Sequence, residues 1–285
     1  MPMARSRGPR PVSLDFELHR LSTPPTSGEV VPALEVEDHL ACLLSPQSFE
    51  ADQYRVLRQF LTEARGARPL RILAVTSPAA GDGKTTTSIN LAATLAQTPG
   101  SRVLLVDTDL RRPFVATNLG LSPDRPGLAE AAIDEGLQLS DVVQSTPYNL
   151  AVLPAGAPPA NPYQALESPR IGQLLEQARD AYEYVVLDTP PVLLVPDCKL
   201  MSQWIDGFLL VVAAHRTPRK LLGEALSALD ESKMLGIVFN GDDRPMGGYY
   251  GKYYGGYYHD RSRRETGGGR SSRQRDQKPR RSSWR

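Results

Sequence analysis

A glycine-rich loop between an apolar run and a polar run carries the clearest chemistry in this sequence. It reads SPAAGDGKTTT. Gly81 and Gly83 remove the side chains that would keep backbone N–H groups from wrapping a polyphosphate, and Lys84 supplies a positive charge. Thr85 places a hydroxyl where a Mg²⁺ ion would sit. The loop predicts a nucleotide phosphate site, although Pro78 stands where the pattern G-x-x-x-x-G-K-[ST] has its first glycine.

Aspartate residues follow directly after two later apolar runs. Asp107 and Asp109 follow the run 102–106, and Asp188 follows the run 184–187. The carboxyl ends of parallel strands meet at one edge of a sheet, so these side chains are candidates for Mg²⁺ contact or general base chemistry. Asp188 has the form of a metal-binding aspartate at a strand end. The pair at 107 and 109 could instead cap a helix in a solvated turn.

The elements that must position these residues alternate between strand and helix. Short apolar runs have the length of buried strands, and segments with apolar residues at helical spacing separate them. Short loops and right-handed crossovers then predict an α/β fold with a mostly parallel sheet and helices on both faces. The predicted strands are 72–75, 102–106, 150–153, 184–187, 208–213 and 235–240. The predicted helices are one from an N-cap at Ser45 to a stop at Gly66, then 85–98, 127–133, 162–181 and 218–232.

Composition divides the 285 residues into a core and two tails. With 40% hydrophobic residues the chain can bury one core, predicted at 45–245. Residues 1–44 are Pro-rich and are predicted to be a mostly disordered arm with a short ordered piece around 34–44. Residues 246–260 hold a Tyr/Gly cluster, and residues 261–285 are predicted to be a disordered basic tail.

Charge, cysteine content and hydropathy exclude several classes of protein. A net charge of +1 gives no whole-chain argument for nucleic-acid binding. The two cysteines, Cys42 and Cys198, fit a reducing compartment, and we expect neither a disulfide nor a zinc site. No run approaches the roughly 18 apolar residues that span a bilayer, and the N-terminus lacks a signal-peptide core. We therefore expect a soluble protein.

Six of the eleven tyrosines fall in the stretch YYGKYYGGYY. Glycine raises the ordering cost and the rings lack opposing apolar partners, so this composition favours a flexible segment with exposed hydroxyls. The six are candidate phosphate acceptors, and the alternative is an aromatic tail used for adhesion. They are Tyr249, Tyr250, Tyr253, Tyr254, Tyr257 and Tyr258. The basic tail that follows has a local net charge of +8, which several phosphates of about −1.5 to −2 each would cancel.

Four segments together resemble one family. SPAAGDGKTT resembles a Walker A motif, VLLVDTDLRRP the additional acidic motif called Walker A′, and YVVLDTPPV a Walker B motif, and the tyrosine cluster is the fourth. The chain resembles the bacterial tyrosine kinases that regulate capsule and exopolysaccharide synthesis, in their free-standing cytoplasmic form. The resemblance covers about 48–258. It implies a P-loop NTPase-like fold and an ATP- and Mg²⁺-dependent kinase that phosphorylates its own tyrosine cluster.

The resemblance also implies roles for individual residues, agreeing with the chemistry of the loop and the strand ends. The implied nucleotide-binding residues are Gly81, Asp82, Gly83, Lys84, Thr85, Thr86 and Asn240. The implied Mg²⁺ ligands are Thr85, Asp107, Asp109 and Asp188, and the implied catalytic residues are Lys84, Asp107, Asp109 and Asp188. Either Asp107 or Asp109 would take the proton from an incoming tyrosine hydroxyl, whose pKa is near 10. Asn240 would contact the adenine or simply cap a turn.

The implied partners are a membrane-embedded activator or polysaccharide co-polymerase, protein tyrosine substrates and a cognate phosphatase, with no nucleic acid. Asp52, Arg55 and Arg58 resemble the family's oligomerisation motif E-x-x-R-x-x-R with Asp in place of Glu, which implies a homo-oligomer through the helix at 45–65. The same spacing is also typical of a solvated helix face with internal ion pairs. The implied location is the cytoplasm, at the inner face of the cell membrane.

Two other functions remain open. One is a ParA- or MinD-like ATPase switch, a class that usually carries a second lysine near the start of the phosphate loop, where this chain has Pro78, Ala79 and Ala80. The other is an adaptor that binds nucleotide without chemistry and docks through its basic tail. The complete set of acidic motifs disfavours the adaptor.

Overall fold

The computed structural model describes residues 35–122 and 124–241, which form a seven-stranded sheet with helices packed on both faces. The strand order is β3-β4-β2-β5-β1-β6-β7, and all neighbours are parallel except β3 and β4. The strands are β1 (Ile72–Thr76), β2 (Val103–Asp107), β3 (Gln144–Ser145), β4 (Ala151–Leu153), β5 (Tyr184–Asp188), β6 (Gly207–Ala213) and β7 (Met234–Asn240). The prediction of a mostly parallel α/β sheet is confirmed.

The helices of the described residues are short, apart from those that flank the phosphate loop and the central strands. They are α1 (Ala41–Leu44), α2 (Phe49–Ala67), α3 (Lys84–Ala96), α4 (Val115–Asn118), α5 (Leu128–Ile133), α6 (Leu139–Val142), α7 (Pro162–Glu167), α8 (Pro169–Ala181), α9 (Asp197–Met201) and α10 (Arg219–Ala228), with a 3-10 turn at Glu231–Lys233.

Two apolar cores lie on the two faces of the sheet. The central strands β1, β2, β5 and β6 are buried along their whole length, as expected for parallel strands covered on both faces. Their side chains alternate, so that Ile72 packs beneath α5–α10 while Leu73 packs beneath α1–α4. The sheet is therefore the middle layer of three.

Three predicted boundaries were wrong. The helix predicted from Ser45 begins at Phe49, because Ser45 ends α1 by donating its backbone N–H to Ala41, and the cap is Ser48, whose hydroxyl accepts from Ala51. The predicted helix 162–181 is two helices, since Ser168 is extended and caps α8 ahead of Pro169. The helix predicted to reach 232 ends at Ala228. The short elements α1, α4, α6, α9 and β3 were not predicted.

The segment before α2 packs onto the face that carries α3. Leu40 is fully buried, the backbone N–H of Cys42 donates to Asn90 Oδ1 on α3, and Glu37 donates to the carbonyl of Asn118 on α4. These contacts lie within the short ordered piece that the sequence predicts. The rest of the predicted arm, and the predicted tyrosine cluster and basic tail, lie outside the described residues.

The register of the sheet brings the acidic strand ends together. Asp107, the last residue of β2, pairs with Asp188, the last residue of β5. Asp188 in turn pairs with Val75 of β1, the strand that leads into the phosphate loop. The loop and the two carboxylates therefore meet at one edge of the sheet, as the sequence predicts.

Candidate active site

The phosphate loop joins β1 to α3 through two glycines in the left-handed region. Gly81 has φ +84° and Gly83 has φ +94°, so a side chain at either position would strain the backbone. Gly83 also lies against Asn240, because a Cβ built on it would be 1.8 Å from Nδ2 of Asn240. Helix α3 begins directly after Gly83, so its positive N-terminal end faces the loop. This backbone arrangement suits a polyphosphate.

Lys84 lies between two carboxylates at the start of α3. Its Nζ is 3.2 Å from Oδ2 of Asp109 and 3.7 Å from Oδ2 of Asp188. Burial of Lys84 disfavours the charged form, but the charges of Asp188 and Asp109 outweigh that effect and raise its pKa. Lys84 is therefore fully protonated at neutral pH and held by the aspartates that the sequence predicts beside it.

Asp188 is fully buried and accepts hydrogen bonds on both oxygens. Thr85 Oγ1 donates to Oδ2 at 2.7 Å, and Ser88 Oγ donates to Oδ1 at 3.0 Å. Burial raises the pKa of Asp188, while Lys84 and these two hydroxyls oppose that shift. Ser88 was not predicted, although its place one helical turn after Lys84 could have indicated it.

Asp107 organises the turn that follows β2. Its carboxylate accepts from the backbone N–H groups of Asp109, Phe114 and Val115 at 3.0–3.1 Å. Burial, and then the charge of Asp188, raise the pKa of Asp107 to about 8. Asp107 therefore caps a turn, which was one of the two interpretations from the sequence. The turn lies in a buried cluster and not in solvent.

Asp109 is nearly buried and faces Lys84 through Oδ2. Its other oxygen accepts from the backbone N–H of Arg112 at 3.1 Å. Two residues away, Arg111 pairs with the buried carboxylate of Asp197 and stacks over the ring of Tyr163, 4.4 Å from the centroid. This Arg111–Asp197 pair was not predicted, because its residues are distant in sequence and the pattern DLRRP says nothing of a partner.

Asp82, Thr86 and Asn240 occupy different positions around the loop. The carboxylate of Asp82 accepts from Ala79 N–H at 3.1 Å and from Thr217 Oγ1 at 2.8 Å. Thr86 lies in the first turn of α3, where its carbonyl accepts from a side chain one turn later. Asn240 Nδ2 donates to the carbonyl of Asp82 at 3.1 Å. An adenine contact by Asn240 stays a prediction, and Thr217 is a neighbour of the loop that the sequence did not predict.

The structure places all predicted loop and strand-end residues at one site. Across residues 35–122 and 124–241 it contains no group of three or more His, Cys, Asp or Glu side chains that could hold a metal ion by itself. A metal at this site would need ligands from elsewhere, and Mg²⁺ typically uses one or two carboxylates together with phosphate oxygens and water. The roles assigned to these residues stay predictions.

The predicted oligomerisation motif lies on α2. Asp52 forms an ion pair with Arg55, and Arg58 Nη1 donates to the carbonyl of Thr94 on α3 at 3.1 Å. All three residues thus make contacts within the chain, and the oligomer stays a prediction. The six predicted acceptors Tyr249, Tyr250, Tyr253, Tyr254, Tyr257 and Tyr258 lie outside the described residues. Cys42 and Cys198 are buried and unpaired with each other.

None of the helices in the described part of the chain is long and apolar enough to cross a membrane.

Comparisons with known proteins identify the family. A profile described as an AAA domain matches residues 70–203. Tyrosine-protein kinase YwqD of Bacillus subtilis (strain 168) is 34% identical over 220 residues, covering 76% of this chain and 92% of YwqD. The succinoglycan biosynthesis transport protein ExoP of Rhizobium meliloti (strain 1021) is 33% identical over 214 residues, covering 73% of this chain and 27% of ExoP.

A solved structure agrees with these relatives. The kinase domain of the Escherichia coli tyrosine kinase ETK superimposes with a TM-score of 0.67 and 31% identity, over 74% of this chain and 83% of that domain. The similarity to YwqD extends over nearly the full length of YwqD. The predicted resemblance is therefore confirmed. The chain belongs to the family of bacterial tyrosine-protein kinases.

Proposed function

We propose that this chain transfers the γ-phosphoryl group of ATP to protein tyrosines, among them the tyrosines of its own segment 249–258. The observation that carries the proposal is the position of Lys84, whose Nζ lies within 4 Å of both Asp109 and Asp188 at the start of the loop helix. Phosphoryl transfer requires positioned charge more than covalent chemistry. Lys84, whose side chain is 11% exposed, is held by two aspartates beside a loop with two glycines at positive φ, and this arrangement supplies such positioning.

The residues present fit a Mg²⁺–ATP complex. Asp109 and Asp188, beside Lys84, offer carboxylate oxygens of the kind that Mg²⁺ binds together with substrate phosphates. Thr85, within 2.7 Å of Asp188, offers a hydroxyl of the kind that follows the lysine in phosphate loops and contacts Mg²⁺. Bound Mg²⁺ would neutralise negative charge on the phosphate oxygens. The protein orients Asp188 by a hydrogen bond to each of its carboxylate oxygens, and it positions Lys84 between two carboxylates.

An incoming tyrosine hydroxyl must lose its proton to a positioned base. Asp107 and Asp109 are the candidates, and their surroundings differ. Asp107 accepts from three backbone N–H groups, while Asp109 accepts from one and directs its other oxygen, Oδ2, at Lys84. This difference favours Asp109 as the base and Asp107 as the residue that holds the turn.

The proposed pathway is polysaccharide synthesis or export. ExoP is named a succinoglycan biosynthesis transport protein, and this chain matches 27% of its length. We propose that a membrane-embedded co-polymerase activates this chain by stabilising its nucleotide-bound or assembled state, a population shift rather than a new conformation. A homo-oligomer through α2, a cognate phosphatase and a location at the inner face of the membrane belong to the same proposal.

Incubation of the purified protein with ATP and Mg²⁺, followed by detection of phosphotyrosine, tests the function. Lys84→Met should nearly abolish the signal, because it removes a charge-assisted phosphate contact. Lys220→Met is the matched control, since Lys220 is exposed on α10 and pairs with Glu224. Phosphate release without phosphotyrosine, in the presence of the activator, would identify an ATPase switch instead. Unchanged phosphotyrosine in Lys84→Met would refute the site.

A further inference from the structure

The turn that follows β6 is attached to the phosphate loop. Strand β6 lies beside β1 on the side away from β5. The turn therefore approaches the loop from the side opposite β2 and β5, the strands that end in Asp107 and Asp188. Thr217 Oγ1 donates to Asp82 Oδ1 at 2.8 Å and accepts from the backbone N–H of Ala213 at 3.0 Å. One hydroxyl therefore closes the turn 213–217 and fastens it to the loop.

The attachment point is itself held rigidly. Asp82 is 5% exposed, its second oxygen accepts from Ala79 N–H, and its carbonyl accepts from Asn240. Two further backbone hydrogen bonds, from residues 216 and 217 to the carbonyl of Ala213, tighten the turn. The backbone that carries a side chain between Ala213 and Thr217 is thus fixed beside the phosphate loop.

That side chain is Arg216. A Cβ built on Gly81 would lie 3.9 Å from Nη2 of Arg216, so the guanidinium stands beside the open backbone of the loop. Arg216 is exposed, so it can be reached by a ligand from solvent. The loop side chains at 78–80 are Pro-Ala-Ala and carry no charge, and Lys84 is engaged with two aspartates. A bound polyphosphate therefore meets a second cation only if a neighbouring segment supplies it.

We propose that Arg216 binds the β-phosphate of the nucleotide and that Thr217 is the residue that positions Arg216. The guanidinium presents a planar fork of donors that matches two phosphate oxygens. This inference rests on the proposed function, because it presumes that a nucleotide occupies the loop. It adds a binding residue on the β6 side to those contributed by β1, β2 and β5.

Calorimetric titration of the full chain with ADP and with AMP, at fixed Mg²⁺ and salt, tests the inference. Arg216→Ala should weaken ADP binding about tenfold or more, the range of a charge-assisted hydrogen bond, and should weaken AMP binding less. Thr217→Val should weaken ADP binding in the same direction, and Thr217→Ser, which keeps the hydroxyl, should bind as the wild type does. Arg219→Ala is the control, because it removes an equal positive charge three residues later. It measures the effect of overall surface charge on ADP binding.

Each outcome decides a separate point. Failure of the wild-type chain to bind ADP would refute the proposed function itself. Normal ADP binding by Arg216→Ala would refute the inference and leave the function standing. An equal loss for ADP and AMP would place Arg216 at the nucleoside or the α-phosphate, which both nucleotides share, and would contradict a contact with the β-phosphate. An equal loss of ADP affinity in Arg219→Ala would assign the effect to the overall positive charge of this surface and would also contradict the proposal. Normal binding by Thr217→Val, confirmed as folded by its melting curve, would remove the positioning role.

Discussion

The hydroxyl of Thr85 lies 2.7 Å from Oδ2 of Asp188, which ties the first turn of α3 to the end of β5. Ser88 holds the other oxygen of the same carboxylate. The carboxylate is therefore oriented by protein groups before any ligand arrives. Such preorganisation means that little rearrangement is needed when charge develops at the site.

Replacement of Asp188 by Asn should uncouple nucleotide binding from Mg²⁺. The amide keeps the shape and one acceptor but loses the charge that a divalent cation needs. We expect Mg²⁺ to tighten ADP binding at least about tenfold in the wild type and much less in Asp188→Asn, with similar ADP affinities in EDTA. Titrations with and without Mg²⁺ measure this. An unchanged Mg²⁺ effect in the variant would exclude Asp188 as a metal ligand.

Replacement of Gly83 by Ala should destabilise the protein, whereas Gly66→Ala should not. Gly83 has φ +94°, and the new Cβ would displace Asn240 from its hydrogen bond to Asp82. The expected cost is about 2 kcal/mol or more of unfolding free energy. Gly66 lies in α2 with open space around its Cβ position, so Ala there should stabilise by about 0.5–1 kcal/mol. Urea denaturation compares them, and equal effects would contradict the loop geometry.

Tyr182 should make stability fall at alkaline pH. Its hydroxyl is buried, without a hydrogen-bond partner among the described residues, and burial raises its pKa to about 12. An unfolded tyrosine titrates near pH 10, so between about pH 10 and 12 the unfolded chain has lost a proton that the folded chain keeps. The native state then binds more protons than the unfolded state, and stability falls as pH rises.

Tyr182→Phe should therefore remove that part of the alkaline decline. It should also raise the unfolding free energy at pH 7 by about 1 kcal/mol, because an unsatisfied buried hydroxyl is removed. Tyr163→Phe, on a ring that is 41% exposed, is the control and should change stability by less than about 0.5 kcal/mol. Denaturation midpoints from pH 7 to 11 give both quantities. A variant with the wild-type slope would show that Tyr182 is accessible to hydroxide.

The segment before α2 should behave as part of the core. Leu40 is fully buried with the side chains of α3, whereas Leu44 is 45% exposed. Leu40→Ala should cost about 2–5 kcal/mol, and Leu44→Ala should cost less than about 1 kcal/mol. Thermal melts of the two variants measure the difference. Similar small losses would mean that this segment contributes nothing to folding.

Buried parallel strands were the easiest elements to predict from the sequence. Strands β1, β2, β5 and β6 are continuous apolar runs because both of their faces are covered. Their predicted bounds differ from the observed bounds by no more than one residue. Strand β3 has two residues and pairs antiparallel, so no periodic pattern can reveal it. Ser45 and Ser48 are equally good caps by local pattern, and only the presence of α1 decides between them.

The site was predictable as far as strand topology determines it. Parallel order places Asp107 beside Asp188 and both beside the phosphate loop, so their meeting follows from motifs and fold class. The contact of Thr217 with Asp82 could not be predicted in the same way. It depends on which strand flanks β1 on its other side and on the path of one turn, neither of which leaves a pattern in the sequence.

The central claim is that this site phosphorylates the chain's own tyrosine cluster, and mapping phosphotyrosine by tandem mass spectrometry tests it most directly. The protein would be incubated with ATP and Mg²⁺ at several concentrations, beside Lys84→Met and a variant with all six cluster tyrosines changed to Phe. We predict phosphate chiefly within residues 249–258 of the wild type, and almost none in either variant. Phosphate found chiefly on Tyr54, Tyr148, Tyr163, Tyr182 or Tyr184, or equal phosphorylation of Lys84→Met, would contradict the account.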